Sequence, residues 1–249
     1  MKATDIRFCA VWKKPLFFLA FLPCIFISCG IDDEPYLEPV DASSVVVTAN
    51  TSARVTTDVA NEGDYSPSFL LYYKIYISSA SESGTISSAD MSRINTTLGS
   101  DYSGISTYTT LNTTNRPVFS LTVFSNRNFY PMIVNSSETI SGSGTITLNF
   151  ENQPSRTIPS LELNGETQTL DRSTGGGSFV PLPETDRRFR NFAELRDTQN
   201  KDVAQTSEDN NDYSYCAVYI IKRGVNSQTL AAIYSAPTFI AVFRLPDRY

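Results

Sequence analysis

The side chains able to do chemistry are unevenly supplied in this chain. Its 249 residues include no histidine, which excludes Ser-His-Asp triads, His-ligated metal sites and histidine pH switches. Ser141-Gly142-Ser143-Gly144 lacks the Gly-x-Ser-x-Gly spacing of a nucleophile elbow, and no imidazole exists to activate a serine, so turn chemistry explains it. Gly175-Gly176-Gly177 is not followed by Gly-Lys-Ser/Thr. The backbone cradle of a P-loop is therefore incomplete, and a flexible loop is expected. Glu208-Asp209-Asn210-Asn211-Asp212 offers oxygen ligands of the kind calcium prefers. Its spacing matches no EF-hand, and a solvated turn ahead of a strand is the plainer expectation. Arg187, Arg188 and Arg190, beside Phe189 and Phe192, could hold carboxylates, phosphates or acidic glycans. The favoured expectation is a helix that packs its Phe residues, with the arginines solvated or paired with Glu184, Asp186 and Glu194. Carboxylate pairs for glycoside hydrolysis converge in space and are not readable from sequence. Asn-x-Ser/Thr sequons at Asn50, Asn95, Asn112 and Asn135 follow from richness in Asn, Ser and Thr; they would carry glycans only in a eukaryotic secretory context. No catalytic, cofactor-binding or metal-binding residue is assigned, and no cofactor is expected.

The cysteines carry more information. There are four, too few for a disulfide scaffold. Cys216 lies in an apolar strand-like run with Val218 and Ile220 at period two, and a buried cysteine in such a run is a small hydrophobe rather than a nucleophile. Cys29 ends a different kind of segment. Lys2, Arg7, Lys13 and Lys14 make a basic start, and an apolar run follows from Pro15 to Ile27 with Phe17, Phe18, Leu19, Phe21, Leu22, Ile25 and Phe26. That run is too short for a stable membrane-spanning helix and suits the hydrophobic region of a signal peptide. It closes with Phe26-Ile27-Ser28-Cys29-Gly30, which resembles a bacterial lipobox. The resemblance implies acylation of the Cys29 thiol, cleavage before it, and Cys29 as the lipidated N-terminus. The bulky Phe26 and Ile27 depart from the Leu-Ala-Gly-Cys form and look like the more permissive spirochaetal lipoboxes. Cys24 is the weaker candidate, because Pro23 precedes it. An ordinary signal peptide or an uncleaved anchor is the alternative. Each buried methylene contributes about 0.8 kcal/mol, so two or three acyl chains would hold the protein on a bilayer.

Charge follows from this reading. Residues 1–28 hold four of the 20 basic residues and one of the 26 acidic ones; their removal leaves 16 and 25, a net charge near −9. A chain so acidic is repelled by nucleic acid, and no nucleic-acid partner is expected. Residues 29–42 are acidic and punctuated by Pro35 and Pro39, and are expected to form an extended, lipid-anchored tether. Gly30 directly after the acylated cysteine leaves out the aspartate-based inner-membrane retention signal of enteric bacteria. The expected location is the bacterial cell envelope, at the outer membrane, in a periplasmic or surface-facing leaflet.

The remaining residues, 43–249, must supply the fold. Ser and Thr together number 56, and the 13 Tyr and 15 Phe suit half-exposed pleated strands better than helices. Strands are expected at Val45–Ala49, Ala53–Val59, Phe69–Ser78, Thr145–Phe150, Tyr215–Lys222, Thr229–Tyr234 and Pro237–Leu245. In Phe69–Ser78, Leu71, Tyr73, Ile75 and Ile77 point one way and Tyr72, Lys74 and Tyr76 the other. Val118–Ser125 and Asn128–Asn135 read as a strand pair about Asn126-Arg127. Leu161–Leu163 and Glu166–Leu170 flank Asn164-Gly165, the strongest hairpin signal, because both central residues of a type I′ turn need positive φ. Ser87-Ser88-Ala89-Asp90 resembles a capping box before Met91, Ile94 and Leu98, and a second short helix is expected at Phe189–Arg196. Ser100–Arg116 and Lys201–Asp212 read as loops.

Many short strands and one or two short helices give an all-β expectation: an antiparallel β-sandwich. Tyr72-Tyr73-Lys74-Ile75-Tyr76 looks like the C strand of a fibronectin type III domain, Tyr215-Cys216-Ala217-Val218-Tyr219-Ile220 like its F strand, and Ser235-Ala236-Pro237 like the approach to its G strand. This resemblance covers about a third of the mature chain. It implies an Ig/fibronectin-like sandwich over 43–249, enlarged by a large insertion, because about 140 residues separate the C-like and F-like strands in a family whose domain has about 100. A second β unit near 117–183 is the alternative. With its lipobox and acidic tether, the chain resembles uncharacterised treponemal lipoproteins. These functions follow as expectations: a non-catalytic binding or structural lipoprotein, held on the membrane by its lipid, whose sandwich engages protein or glycan through loops and exposed tyrosines such as Tyr72 and Tyr76, as a surface adhesin for host protein or glycan in one form; a periplasm-facing protein in the assembly of other envelope components; and a carboxylate-dependent carbohydrate-active enzyme.

Overall fold

Alternation of apolar and polar residues builds most of the molecule. The computed structural model describes residues 36–58, 67–78, 110–111, 117–137, 139–150, 159–175, 178–181, 188–189, 201–205, 213–226 and 230–245. A 3-10 turn at Ala42–Ser44 leads into β1 (Val45–Ala49), β2 (Ser52–Thr57), β3 (Ser68–Ser78), β4 (Thr110–Leu111) and β5 (Pro117–Val118). A five-residue helix, α1 (Thr122–Asn126), precedes β6 (Tyr130–Pro131), β7 (Ile133–Val134), β8 (Ile140–Ser141), β9 (Gly144–Asn149), β10 (Ser160–Leu163), β11 (Glu166–Asp171), β12 (Ser173–Gly175) and β13 (Ser178–Pro181). The chain continues through β14 (Val203–Gln205), β15 (Tyr213–Val225), β16 (Ala232–Tyr234) and β17 (Thr238–Arg244).

The strands form an all-β, mainly antiparallel sandwich. One sheet has the order β1-β2-β9-β10-β11-β7. The other centres on β3 and β15, which pair along eleven residues from Ser68↔Arg223 to Tyr213↔Ser78. Short strands complete its two edges: β8, β6 and β14 beside β3, and β17 and β16 beside β15. β3, β15 and β17 therefore stand side by side, which is the order of the C, F and G strands in a fibronectin-type sheet. Strands within 117–183 join both sheets, β9 pairing with β2 and β6 and β8 with β3.

The main core lies between the sheets. Ala53, Val55, Ile146, Leu148, Leu161 and Leu170 meet Leu71, Tyr73, Ile75, Cys216, Val218, Ile220 and Phe243. A bulge tightens this packing: Val218 faces Ala241 and Tyr219 faces Phe239, so Ile240 is the extra residue, and both Ile240 and Ala241 reach the core. The hairpin at Asn164-Gly165 forms as the sequence predicts, with φ of 52° and 89°.

A second core lies on the other side of β3 and β15. Tyr72, Tyr76, Ala217, Tyr219 and Ile221 pack there against Phe119, Val123, Phe124 and Phe129. Phe124 stacks on Tyr72 at 4.4 Å between ring centroids. The expected strand pair over Val118–Ser125 and Asn128–Asn135 is corrected here, because α1 and its cap take its place. The Asn128 N–H donates to Ser125 O, the Phe129 N–H donates to Phe124 O, and Asn128 has φ of 55°. This is a Schellman cap with asparagine in the left-handed position, and the Phe124–Phe129 edge contact supplies its hydrophobic clasp.

Two boundaries also shift. Residues 36–42, expected in a tether over 29–42, join the fold: Leu37 and Val40 are buried and the Thr238 hydroxyl donates to Val40 O at 2.5 Å. Lys201–Asp212 was expected to be a loop, yet Val203–Gln205 pairs in parallel with Ile75–Ile77. The expected helix beginning at Ser87 lies outside the described residues. Of the helix expected at Phe189–Arg196, only Phe189 is described, and it is not helical.

Candidate functional site

The polar chemistry buried in the sandwich gathers around Asp202. Tyr73 brings its ring from the inward face of β3. Asp202 stands one residue before β14, where its backbone carbonyl accepts from the Ile75 N–H at 2.9 Å. Arg172 lies between β11 and β12. Its Nε and Nη2 donate to the two Asp202 carboxylate oxygens at 2.8 and 2.6 Å, a bidentate pair. The Tyr73 hydroxyl donates to Asp202 Oδ2 at 2.8 Å. Arg172 is wholly buried and Asp202 nearly so.

The electrostatics follow from that burial. Burial opposes the charged guanidinium of Arg172, but the hydrogen bonds and charge of Asp202 outweigh it, and Arg172 holds its proton more tightly than usual. Burial and then the Asp202 charge push the Tyr73 hydroxyl well above its ordinary value. The same two causes push the Cys216 thiol up, against a smaller opposite effect of Arg172. Tyr130 is raised by burial and by Asp202 as well. Arg172 is thus held as a guanidinium, Tyr73 and Tyr130 as neutral phenols and Cys216 as a neutral thiol. Asp202 Oδ2 accepts two of these hydrogen bonds and Oδ1 one, so both carboxylate oxygens are engaged inside the fold. The cluster is a clamp between β3, β14 and the β11–β12 junction. A neighbouring pair extends it to the surface, where Arg188 Nη1 donates to Asp171 Oδ1 at 2.7 Å.

The residues singled out from sequence scatter around this clamp. Of the arginine cluster, Arg188 pairs with Asp171; Arg187, Arg190 and the expected partners Glu184, Asp186 and Glu194 lie outside the described residues. Tyr72 and Tyr76 are not an exposed binding face. Both are buried beneath Phe119–Phe129, and Lys74 between them donates from Nζ to Arg127 O at 2.9 Å while lying 5.6 and 5.5 Å from the Tyr76 and Phe129 ring centroids. Cys216 is a buried free thiol, as a small core hydrophobe should be. Ser141-Gly142-Ser143-Gly144 is a turn between β8 and β9, with positive φ at both glycines. The Asn164 side-chain amide donates to Ser143 O there, and a Cβ on Gly144 would collide with that amide. Asn135 sits in an exposed turn at φ 46°, and Asn50 at the β1–β2 turn. Cys29, Gly176, Gly177, Asn95, Asn112 and the 208–212 acidic run lie outside the described residues.

The outward face of the β1-to-β7 sheet presents Arg54, Thr56, Thr147, Glu162, Thr167 and Thr169 in register. No aromatic side chain stands among these described residues. Comparison with known proteins gives no matching family model, no matching curated protein and no matching solved structure.

Proposed function

We propose that the chain is a lipid-anchored envelope protein whose β-sandwich has a binding or structural role and carries out no chemistry of its own. One observation carries this reading: the basic start and the Pro15–Ile27 apolar run end abruptly at Ser28-Cys29-Gly30. Acylation of Cys29 would give a permanent palmitate-type anchor at the outer membrane. The domain then needs no membrane-binding surface of its own. The Arg172–Asp202–Tyr73 clamp supports a structural reading of the interior. The resemblance to a fibronectin-like sandwich in a treponemal-type lipoprotein supports the same role. With Tyr72 and Tyr76 buried, contacts to a protein or glycan fall to loops and strand edges.

The test is expression of the full chain in a bacterium that processes lipoproteins, followed by detergent-phase partition and mass measurement of the N-terminal peptide. The wild type is expected in the detergent phase, with a peptide beginning at an acylated Cys29. Cys29→Ala is expected to lose the acyl mass and move to the aqueous phase or remain uncleaved. An unmodified Cys29 in the wild type would overturn the reading.

A further inference from the structure

Leu230 is the most exposed large hydrophobic side chain among the described residues, at 78%. It stands at φ 57°, in the left-handed region, where a turn ordinarily places asparagine or glycine. Neither packing nor backbone preference accounts for a leucine at this place. Leu230 closes the hairpin between β15 and β16: its N–H donates to Asn226 O at 2.8 Å, and the Asn226 N–H donates to Ala231 O at 3.0 Å. Ala231 and Ala232 beside it are exposed as well, and Ile233 and Tyr234 are half-buried. Apolar residues thus follow one another from the tip along its outer strand, and no acidic residue occurs from Tyr213 to Pro246.

The strand register locates this tip. β17 starts at Thr238, opposite Ile220 of β15, whereas β15 continues to Val225, opposite Ala232 of β16. At ~3.4 Å per residue, Asn226 lies about 20 Å beyond the level of Thr238. Thr238 is also where the first segment meets the sandwich, since its hydroxyl donates to Val40 O. Tyr36 is within about 14 Å of Val40 even at full extension, so the chain leading back to Cys29 leaves near the end from which the hairpin projects. We propose that the β15–β16 hairpin docks on the bilayer, with Leu230 in its apolar boundary. The inference rests on the anchored reading above: the lipid attaches the chain, and the hairpin fixes which end of the sandwich faces the membrane. From Cys29 to Tyr36 the leash spans about 25 Å at most, which with the segment to Val40 exceeds the projection of the hairpin, so the tip reaches the surface while the anchor stays inserted. Glu38, Asp41 and Asp58 are exposed acidic residues near this end. The attraction is therefore apolar rather than electrostatic, and needs no anionic lipid.

The experiment reads tryptophan fluorescence from the full chain held on phosphatidylcholine vesicles whose acyl chains carry bromine near the headgroup, which quenches by contact. The chain's one tryptophan, Trp12, lies in the segment that the anchored reading removes. Ile233→Trp puts the probe on the hairpin. Thr48→Trp puts it beside the β1–β2 turn at the other end, where Asn50 O accepts from the Arg244 N–H. Quenching at Ile233→Trp is expected to be at least about fivefold stronger than at Thr48→Trp, because one buried leucine biases the docked orientation by about ten- to a hundredfold. Adding Leu230→Asn is expected to return it to the Thr48→Trp level. Asparagine suits the left-handed angle, so the urea midpoint is expected to stay as high or rise, which separates loss of contact from loss of fold. Equal quenching at the two positions, or quenching that survives Leu230→Asn, overturns the proposal. Acyl mass is read on the same sample, so an acylated chain with an unquenched hairpin refutes the docking and leaves the anchor standing. If the chain is not acylated, the same variants with Trp12→Phe are mixed with the vesicles, where an unquenched hairpin refutes the docking too.

Discussion

Asp202 is surrounded by groups that need its charge. Breaking a buried ion pair by removing one partner costs about 3–5 kcal/mol, because the other charge is stranded in a medium that cannot solvate it. Asp202→Asn keeps the shape and strands Arg172, and is expected to lower the unfolding free energy by that amount, read as a urea midpoint. Against a typical domain stability of about 5–15 kcal/mol this is a large fraction. Adding Arg172→Met should recover much of the loss, since no charge is then left unpaired; a double variant as unstable as the single one would mean that shape, not charge, is what the clamp supplies. The same burial sets a pH dependence. Tyr73 and Cys216 are neutral in the fold with raised values, while in the unfolded chain the thiol releases its proton near 9.0 and the phenol near 10.0. Between the unfolded and folded values the unfolded state binds fewer protons, so stability is intact below pH 9 and falls as pH rises beyond it. Cys216→Ala should move the onset of that fall towards pH 10 in a series of denaturant midpoints. An unchanged onset would assign the effect to other groups.

Among the described elements, α1 ends on a single left-handed backbone angle. Asn128 holds the left-handed position of the Schellman cap, and an ordinary side chain there costs about 1–2 kcal/mol. Asn128→Gly is expected to be neutral or slightly stabilising, and Asn128→Ala to lose about 1 kcal/mol in thermal unfolding. Equal stability of the two would show that the cap does not hold the helix. The expected strand pair failed here for a reason visible in the residues: Asn126-Arg127-Asn128 between apolar runs fits a hairpin turn and a helix cap equally well, and only packing against Tyr72 decides. Local signals were otherwise readable. The alternation in Phe69–Ser78 sorts its side chains correctly into the two cores, and Asn164-Gly165 makes its turn. Burial of Tyr72 and Tyr76 was not read from that strand, where Lys74 between them suggests a wet face. The available signal lay in its partner: Cys216–Ile221 is apolar without a break, the mark of a strand covered on both sides. β14 and the Arg172–Asp202 pair were illegible, since β14 is three residues long and bonds to a strand about 130 residues earlier, and both charged residues stand in runs that read as turns.

At the scale of the whole molecule, if the chain is anchored at Cys29 as proposed, the distance between sandwich and membrane is set by where the fold begins. A tether over residues 29–42 could reach about 45 Å, at ~3.3–3.6 Å per residue. With Leu37 and Val40 buried, only the chain from Cys29 to Tyr36 is left to span the gap, about 25 Å at most. A domain anchored in that way would thus lie close to its bilayer. The hydroxyl of Thr238 is the one polar contact described between β17 and this first segment. Thr238→Val keeps the shape and leaves the Val40 carbonyl without its donor, which costs about 1–3 kcal/mol at a buried position. The loss falls on segment 36–40 more than on the sandwich, so local opening should become about tenfold more frequent for each 1.4 kcal/mol while global unfolding moves little. Hydrogen exchange of the backbone amides of Leu37 and Val40 reads that opening directly. A rate at least about fivefold above wild type, with the urea midpoint nearly unchanged, is the expected result. An unchanged rate would mean that Leu37 and Val40 hold the segment down by hydrophobic burial without help from the hydroxyl.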